Sequence, residues 1–373
     1  MVVILRANRF YGPMKHVKNN FPVLDVLDIA FNNFSGQLPT EFFQTPQLRS
    51  LKMGGNKLEG KLPRSLANCT KLEVLDLGNN MVHDTFPFWL EKLSFLKVIV
   101  LRANRFYGTI NFSEGGNAFP MLRILDLASN DFSGELSGEF FQCLRAMMMI
   151  TDENKGNAKY IGDDYYQDSV TIFNNGQEMF LKKILTTFTW LDLSNNSFHG
   201  RIPEEIQNLK LLKGLNLSYN SLFGPIPLAL GYLKDLESLN VSHNKLFGKI
   251  PLQLTSLTFL AVLNLSYNKL EGSIPSSYQF DTFSNDSYKG NPRLCGMPLT
   301  RKCNEAEIPM ARTGEDVDSW VDVILSVWKI VLIGYGSGLI IGLSIGYTVL
   351  NEMGNKWLDS YKRNRKRNRR RSR

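Results

Sequence analysis

Asparagine recurs in this chain at a fixed interval. Asn8, Asn32, Asn56, Asn80 and Asn104 stand 24 residues apart, Asn130 follows after 26, and Asn196, Asn220, Asn244 and Asn268 are again 24 apart. Three residues before each stands an aliphatic side chain, from Leu5 and Ile29 to Val241 and Leu265, and four after it stands Gly, except at Asp84. A single unit of this size cannot bury its own apolar face, so the chain reaches stability only by stacking each unit on the next. Over residues 1–275 this excludes an ordinary globular arrangement of separate helices and sheets.

The frame has a physical reading. In LxL the two leucines point inward from a short strand and the residue between them points out. The Asn follows where the chain leaves the strand, and its amide can donate to and accept from backbone groups that the turn leaves unpaired. Gly then permits a backbone conformation closed to other residues. Pro39, Pro63, Pro87, Pro203, Pro227, Pro251 and Pro275 keep the outer arc extended.

The units LKGLNLSYNSLFGPIPLALGYLKD and LESLNVSHNKLFGKIPLQLTSLTF show the whole frame. Their LxGxIP ending and 24-residue period resemble the plant extracellular leucine-rich repeat. The resemblance implies an α/β solenoid with parallel strands on a concave face and irregular or 3₁₀ turns on the convex one. The expected organisation is repeats over 1–144 with the first incomplete, an island over 145–187, four repeats over 188–283 and a C-terminal cap over 284–303. An acidic segment over 304–327, one transmembrane helix over 328–350 and a basic tail over 351–373 complete it.

The interval between Asn130 and Asn196 holds one repeat plus an insert without the frame. Within the insert, DSVTIFNNGQEMFLK reads as two alternating strands around Asn175-Gly176, a strong hairpin signal. An insertion in a solenoid leaves on one face, often the binding face. Plant receptor-like proteins and some steroid-type receptor kinases resemble this chain in carrying such an island four repeats before the end. Lys159 and Tyr165, five residues intervening, match a short pattern of those islands.

After Pro275 the frame stops, and the last repeat needs a cap over its apolar edge. The segment NDSYKGNPRLCGMPLTRKC resembles the cap of the plant extracellular proteins, with Cys295 and Cys303 expected to form a disulfide. Cys69 and Cys143 are expected to remain unpaired. Ile330–Leu350 carries no charge and is long enough to span a bilayer. Acids precede it and bases follow, an order that puts the repeats outside and the tail in the cytosol of a single-pass type I protein of the plasma membrane. Gly334, Gly338, Gly342 and Gly346 share one face of that helix and would let a partner helix approach closely. Sequons at Asn33, Asn68, Asn111, Asn195, Asn216, Asn240, Asn264 and Asn285 agree with a secretory ectodomain.

Composition narrows the function. Residues 351–373 hold ten Lys/Arg against two acids, so the whole net charge of +8 belongs to the tail and the body is neutral. That argues against a nucleic-acid-binding body and fits an anchor at lipid headgroups. Four scattered histidines and four cysteines without zinc spacing supply no metal or acid–base site, so neither a cofactor nor an enzyme is expected. The opening MVVILRANRF has no secretion signal, and the first repeat begins mid-frame, so an N-terminally truncated form of a longer receptor is expected.

The whole resembles the kinase-less leucine-rich-repeat receptor-like proteins of plants, which act in defence or development. The resemblance implies a cell-surface receptor for an unknown extracellular ligand. It would signal through separate receptor kinases, an adaptor at the glycine face and a co-receptor at the last repeats. Asn195, Tyr219, His243 and Tyr267, with Lys213 and Glu237 nearby, are the expected partner patch. The alternatives are a secreted-type repeat protein that inhibits a microbial wall hydrolase and a nonfunctional or decoy fragment.

Overall fold

Ten three-residue strands, from Val2–Ile4 and Val26–Asp28 to Ser238–Asn240 and Val262–Asn264, lie side by side in chain order as one parallel sheet. The structure, a computed structural model, describes residues 1–14, 23–38, 45–110, 118–149, 159–162, 165–277 and 279–303. The acidic segment, the expected transmembrane helix with its four glycines, the basic tail and Asn111 lie outside the described residues. Among the described residues no helix is long and apolar enough to cross a membrane. Met1–Glu305 forms one compact unit.

Equivalent residues pair across repeats, as in Leu191↔Leu215, Leu215↔Leu239 and Leu239↔Leu263. A slip of one residue would turn every leucine outward. From the second repeat on, both leucine positions of the frame are buried, for instance Leu75 and Leu77, Leu125 and Leu127, Leu215 and Leu217. Ile124–Asp126 pairs directly with Trp190–Asp192, so the insert leaves the array without interrupting the sheet.

The asparagine does what its position requires. Asn80 Nδ2 donates to the carbonyls of Met53, Leu77 and Gly78 at 3.1, 3.0 and 3.2 Å, and its Oδ1 accepts from Leu58 N at 3.0 Å. From Asn32 on, each ladder asparagine thus sews its own turn to the preceding repeat. The residue just before it adopts a left-handed conformation, at Phe31, Asn79, Asn195, Tyr219, His243 and Tyr267 among others.

A second set of strands leaves each turn and forms a four-stranded sheet ending at Met81–Val82 and a seven-stranded one starting at Tyr107–Thr109. The break falls at Asp84, where the frame has Gly. The frame glycines keep positive φ, such as 78° at Gly60 and 84° at Gly108, whereas Asp84 uses its carboxylate to accept from Leu62 N and Thr85 N. The outer arc is made of five-residue 3₁₀ helices that follow prolines, as in Arg64–Asn68 and Leu228–Tyr232. One six-residue α-helix, Gly138–Cys143, is the α component that the expected α/β class retains among the described residues.

The cap continues the frame rather than ending it. Asn291 accepts from Leu270 N and donates to Leu265 O and Tyr288 O, as a ladder asparagine does. Tyr288, fully buried, takes the place of the aliphatic residue. Arg293–Cys295 adds the last strand to the seven-stranded sheet, and Cys295 is disulfide-bonded to Cys303 with Cα atoms 5.0 Å apart. Cys69 and Cys143 are buried thiols outside any disulfide, and burial pushes the Cys69 thiol up to about 12.

Candidate functional site

On the open side of the ten-stranded sheet, several strand positions that should meet water carry apolar side chains: Val74, Val98, Val100, Ile124 and Trp190. The insert covers them. Val170–Asn174 and Gln177–Leu181 form the antiparallel hairpin expected around Asn175-Gly176. Ile161, Val170, Ile172 and Ile184 of the insert join those strand residues in a second apolar core, separate from that of the repeats. The first hairpin strand faces the repeats, and the second, through Met179 and Phe180, is exposed.

The root of the hairpin is fixed by charge. Asp168, fully buried, accepts from Ser50 Oγ at 2.6 Å and pairs with Lys52 Nζ at 3.1 Å and Arg49 at 3.2 Å. Tyr166 adds a hydroxyl 3.2 Å from Lys52 Nζ. Burial works against the Lys52 ammonium, but Asp168 and Tyr166 outweigh it and its pKa is raised.

The tip reaches the repeats that follow the insert. Asn174 Oδ1 accepts from Ser238 Oγ at 2.7 Å, and Asn175 Oδ1 accepts from the amides of Asn240 and Asn264 at 3.4 and 2.9 Å. Phe173 lies under the Arg102 guanidinium, 3.6 Å from centroid to Cζ. Arg102 also pairs with Asp126 at 2.9 Å. Asp126 is matched in register with Asp192, both are fully buried, and Arg102 is the cation beside them. Burial and the neighbouring Asp192 push Asp126 up to about 7, and burial raises Asp192 as well. Between the tip and the sheet remains a cavity of about 260 Å³, bounded by Arg102, Phe173, Asn175, Asp192, Asn216 and Tyr219.

At the edge of this cavity stand the aromatic residues of the expected patch. Tyr219 and His243 stack with centroids 4.0 Å apart, and His243 and Tyr267 stack at 4.3 Å. The far side of Tyr267 closes on Gly290, where an added Cβ would come within 2.6 Å of the ring. Burial and Lys289 lower the His243 pKa. Tyr219 and Tyr267 remain about half exposed, at 55% and 46%. Asn195 precedes them in the same row and donates to Ser129 Oγ, and Lys213 pairs with Glu237 at 2.5 Å on the neighbouring repeat.

The structure therefore brings Asn195, Tyr219, His243 and Tyr267 into one row, with the Lys213–Glu237 pair on the same repeats. Lys159 and Tyr165 are both exposed, Tyr165 at 98%, and the nearby Tyr166 and Asp168 meet the sheet. Of the expected glycosylation sites, Asn216 and Asn240 are 8% and 6% exposed, their amides engaged by Asp192 and Asn175. Asn33, Asn68, Asn195 and Asn285 are exposed and Asn264 is half-buried. The missed residues had one legible signal, the apolar outward positions of the central strands, which demand a cover.

The leucine rich repeat family models match residues 22–82 and, in single units, 121–143, 187–209, 211–233, 235–257 and 259–280. The chain is 53% identical over 254 residues to receptor-like protein 9DC3 of Solanum pimpinellifolium, covering 66% of this chain and 29% of that one. It is 49% identical over 263 residues to receptor-like protein 34 of Arabidopsis thaliana, covering 69% and 27%. The chain thus spans under a third of the length of these curated relatives. Among solved structures it resembles a plant ice-binding protein in fold, with a TM-score of 0.63, 24% identity and coverage of 82% and 84%. It also resembles the Arabidopsis receptor kinase HAESA, solved with the peptide hormone IDA and the co-receptor SERK1, at a TM-score of 0.53, 26% identity and coverage of 79% and 46%.

Proposed function

Since the chain belongs to the leucine-rich-repeat receptor-like proteins of plants, we propose that it senses an extracellular ligand at the cell surface and signals by associating with separate receptor kinases. In this reading the repeats lie outside the plasma membrane. Residues 328–350 span it, and Gly334, Gly338, Gly342 and Gly346 form the face that meets an adaptor kinase. The co-receptor meets the row Asn195, Tyr219, His243 and Tyr267. HAESA, a structural neighbour, was solved with a peptide ligand and a co-receptor together, which supports a ligand and a co-receptor as partners of the repeats.

The observation that carries the proposal is the position of the aromatic stack. A left-handed backbone is cheapest for Gly or Asn, and Gly55, Asn79, Asn195 and Gly290 occupy it elsewhere in the array, beside Ala7, Phe31, Ala103 and Ser129. The two tyrosines there bring no backbone advantage. They supply a half-exposed aromatic surface of the kind that anchors protein contacts. The hydrolase-inhibitor reading needs the open side of the ten-stranded sheet, which the insert occupies from Lys52 to Asn264.

Co-precipitation from plant cells tests the proposal. The full-length chain should capture a receptor kinase, and Gly338→Leu with Gly342→Leu should abolish the capture. Capture that ignores the glycines, or none at all, removes the adaptor mechanism.

A further inference from the structure

We propose that the cavity beneath the hairpin tip is a saccharide site that takes one sugar ring of a glycan against the open face of Tyr219. The inference deepens the receptor reading by naming the ligand's chemistry, and rests on it only for the claim that binding is sensed.

Size sets the first limit. At about 260 Å³ the cavity falls just under the range of roughly 300–1,000 Å³ usual for small-molecule sites, so it suits a single ring.

The walls then select the chemistry. Each carboxamide carries two N–H donors. Asn216 spends one on Asp192, and Asn240 and Asn264 spend one each on Asn175, so among the described residues each keeps a second. Arg102 Nε is buried without a hydrogen-bond partner. Opposite these donors stands the Asp192 carboxylate, which accepts when ionised. An occupant must therefore accept from amides and a guanidinium and also donate to a carboxylate. An ammonium cannot accept and a carboxylate cannot donate, whereas adjacent hydroxyls do both.

The aromatic wall fits the same ligand. His243 covers one face of Tyr219. On the other side the equivalent position is Asn195, whose amide turns to Ser129, so among the described residues no ring stacks on that face. A sugar presents C–H groups on its flat side and hydroxyls around its edge, which matches an aromatic plane beside a polar floor.

The ring can come from a free oligosaccharide or from the chain's own N-glycan on Asn264, a half-buried sequon at the cavity. The test is saturation-transfer NMR on the full-length chain in detergent, with chitotriose, cellotriose and N-acetyl-lysine methylamide as probes. Transfer to the ring protons of at least one trisaccharide is expected, together with binding weakened roughly tenfold or more in Tyr219→Gly. Gly is native at the equivalent position, Gly55, and an unchanged circular dichroism spectrum shows that the variant folds. Ser266→Ala abolishes the sequon while keeping Asn264. Trisaccharide binding confined to this variant, with glycan found on Asn264 of the wild type, identifies the chain's own glycan as the occupant and also supports the site. No transfer from either trisaccharide to wild type or Ser266→Ala, equal transfer to Tyr219→Gly, or stronger transfer from the lysine probe overturns it. No kinase enters the measurement, so failed kinase association and failed sugar binding are told apart.

Discussion

Asp168 and Lys52 form an ion pair at 3.1 Å with both side chains fully buried, joining the insert to a strand of the third repeat. Removing one partner of such a pair strands the other charge and costs about 3–5 kcal/mol. Asp168→Asn should therefore release the hairpin while leaving the repeats folded. Hydrogen exchange over residues 168–181 should accelerate on the order of a hundredfold, with the ten-stranded sheet unchanged. Lys52→Met combined with Asp168→Leu should recover most of the protection.

The ladder asparagines should differ in worth by their burial. Asn80, 9% exposed, accepts from Leu58 N and donates to three carbonyls. Asn8 is exposed and donates to Leu5 O and Arg6 O. Asn80→Ala orphans several buried backbone groups and should cost about 2–4 kcal/mol, against less than about 1 for Asn8→Ala. Urea denaturation of the two variants beside wild type measures the contrast.

The buried carboxylates give stability a pH dependence of definite sign. Asp126 has its pKa raised to about 7 in the folded chain, against an ordinary value near 3.9 when unfolded. The folded state therefore binds the proton more tightly. The penalty is fully present above pH 7 and is relieved as pH falls from 7 towards 4, by up to about 1.4 kcal/mol per unit per proton. Asp192, raised as well, acts in the same direction. His243, lowered by burial and Lys289, opposes them as pH drops through its folded value below 6.5. Asp126→Asn should thus flatten the curve between pH 7 and 5 relative to wild type, as read by urea midpoints. A parallel curve would remove the assignment.

Gly290 should tolerate no side chain. Its φ is +77° and an added Cβ meets Tyr267 Cδ1 at 2.6 Å and Tyr267 Cα at 3.0 Å. Gly290→Ala should cost about 1–3 kcal/mol and displace the end of the aromatic stack. The measurement is a lowered melting temperature, with weaker co-receptor capture if the stack is the docking surface.

Much of this was legible in the sequence because repetition fixes register. Asn80 and its counterparts declared the turn, the leucines the core, and Asn175-Gly176 the hairpin. Where the hairpin goes was not legible, because Asp168 meets Lys52 and Asn175 meets Asn264 through the fold and not through any local pattern. The clue that did exist was apolar Val74, Val98 and Ile124 at outward strand positions. Asn291 escaped notice because it comes 23 residues after Asn268, with Tyr288 where the frame has an aliphatic residue. The burial of Asn216 and Asn240 was not legible either, because a sequon says nothing about what covers it.

The central claim is that the insert lies across the ten-stranded sheet and reaches the repeats that carry the aromatic stack. Asn174 and Ser238 side chains meet at 2.7 Å across that junction. With Asn174→Cys and Ser238→Cys in one full-length chain, mild oxidation should form an intramolecular disulfide, detected as a linked peptide pair by mass spectrometry. Absence of that link under conditions that oxidise Cys295 with Cys303, together with rapid hydrogen exchange across residues 170–181, would contradict the account.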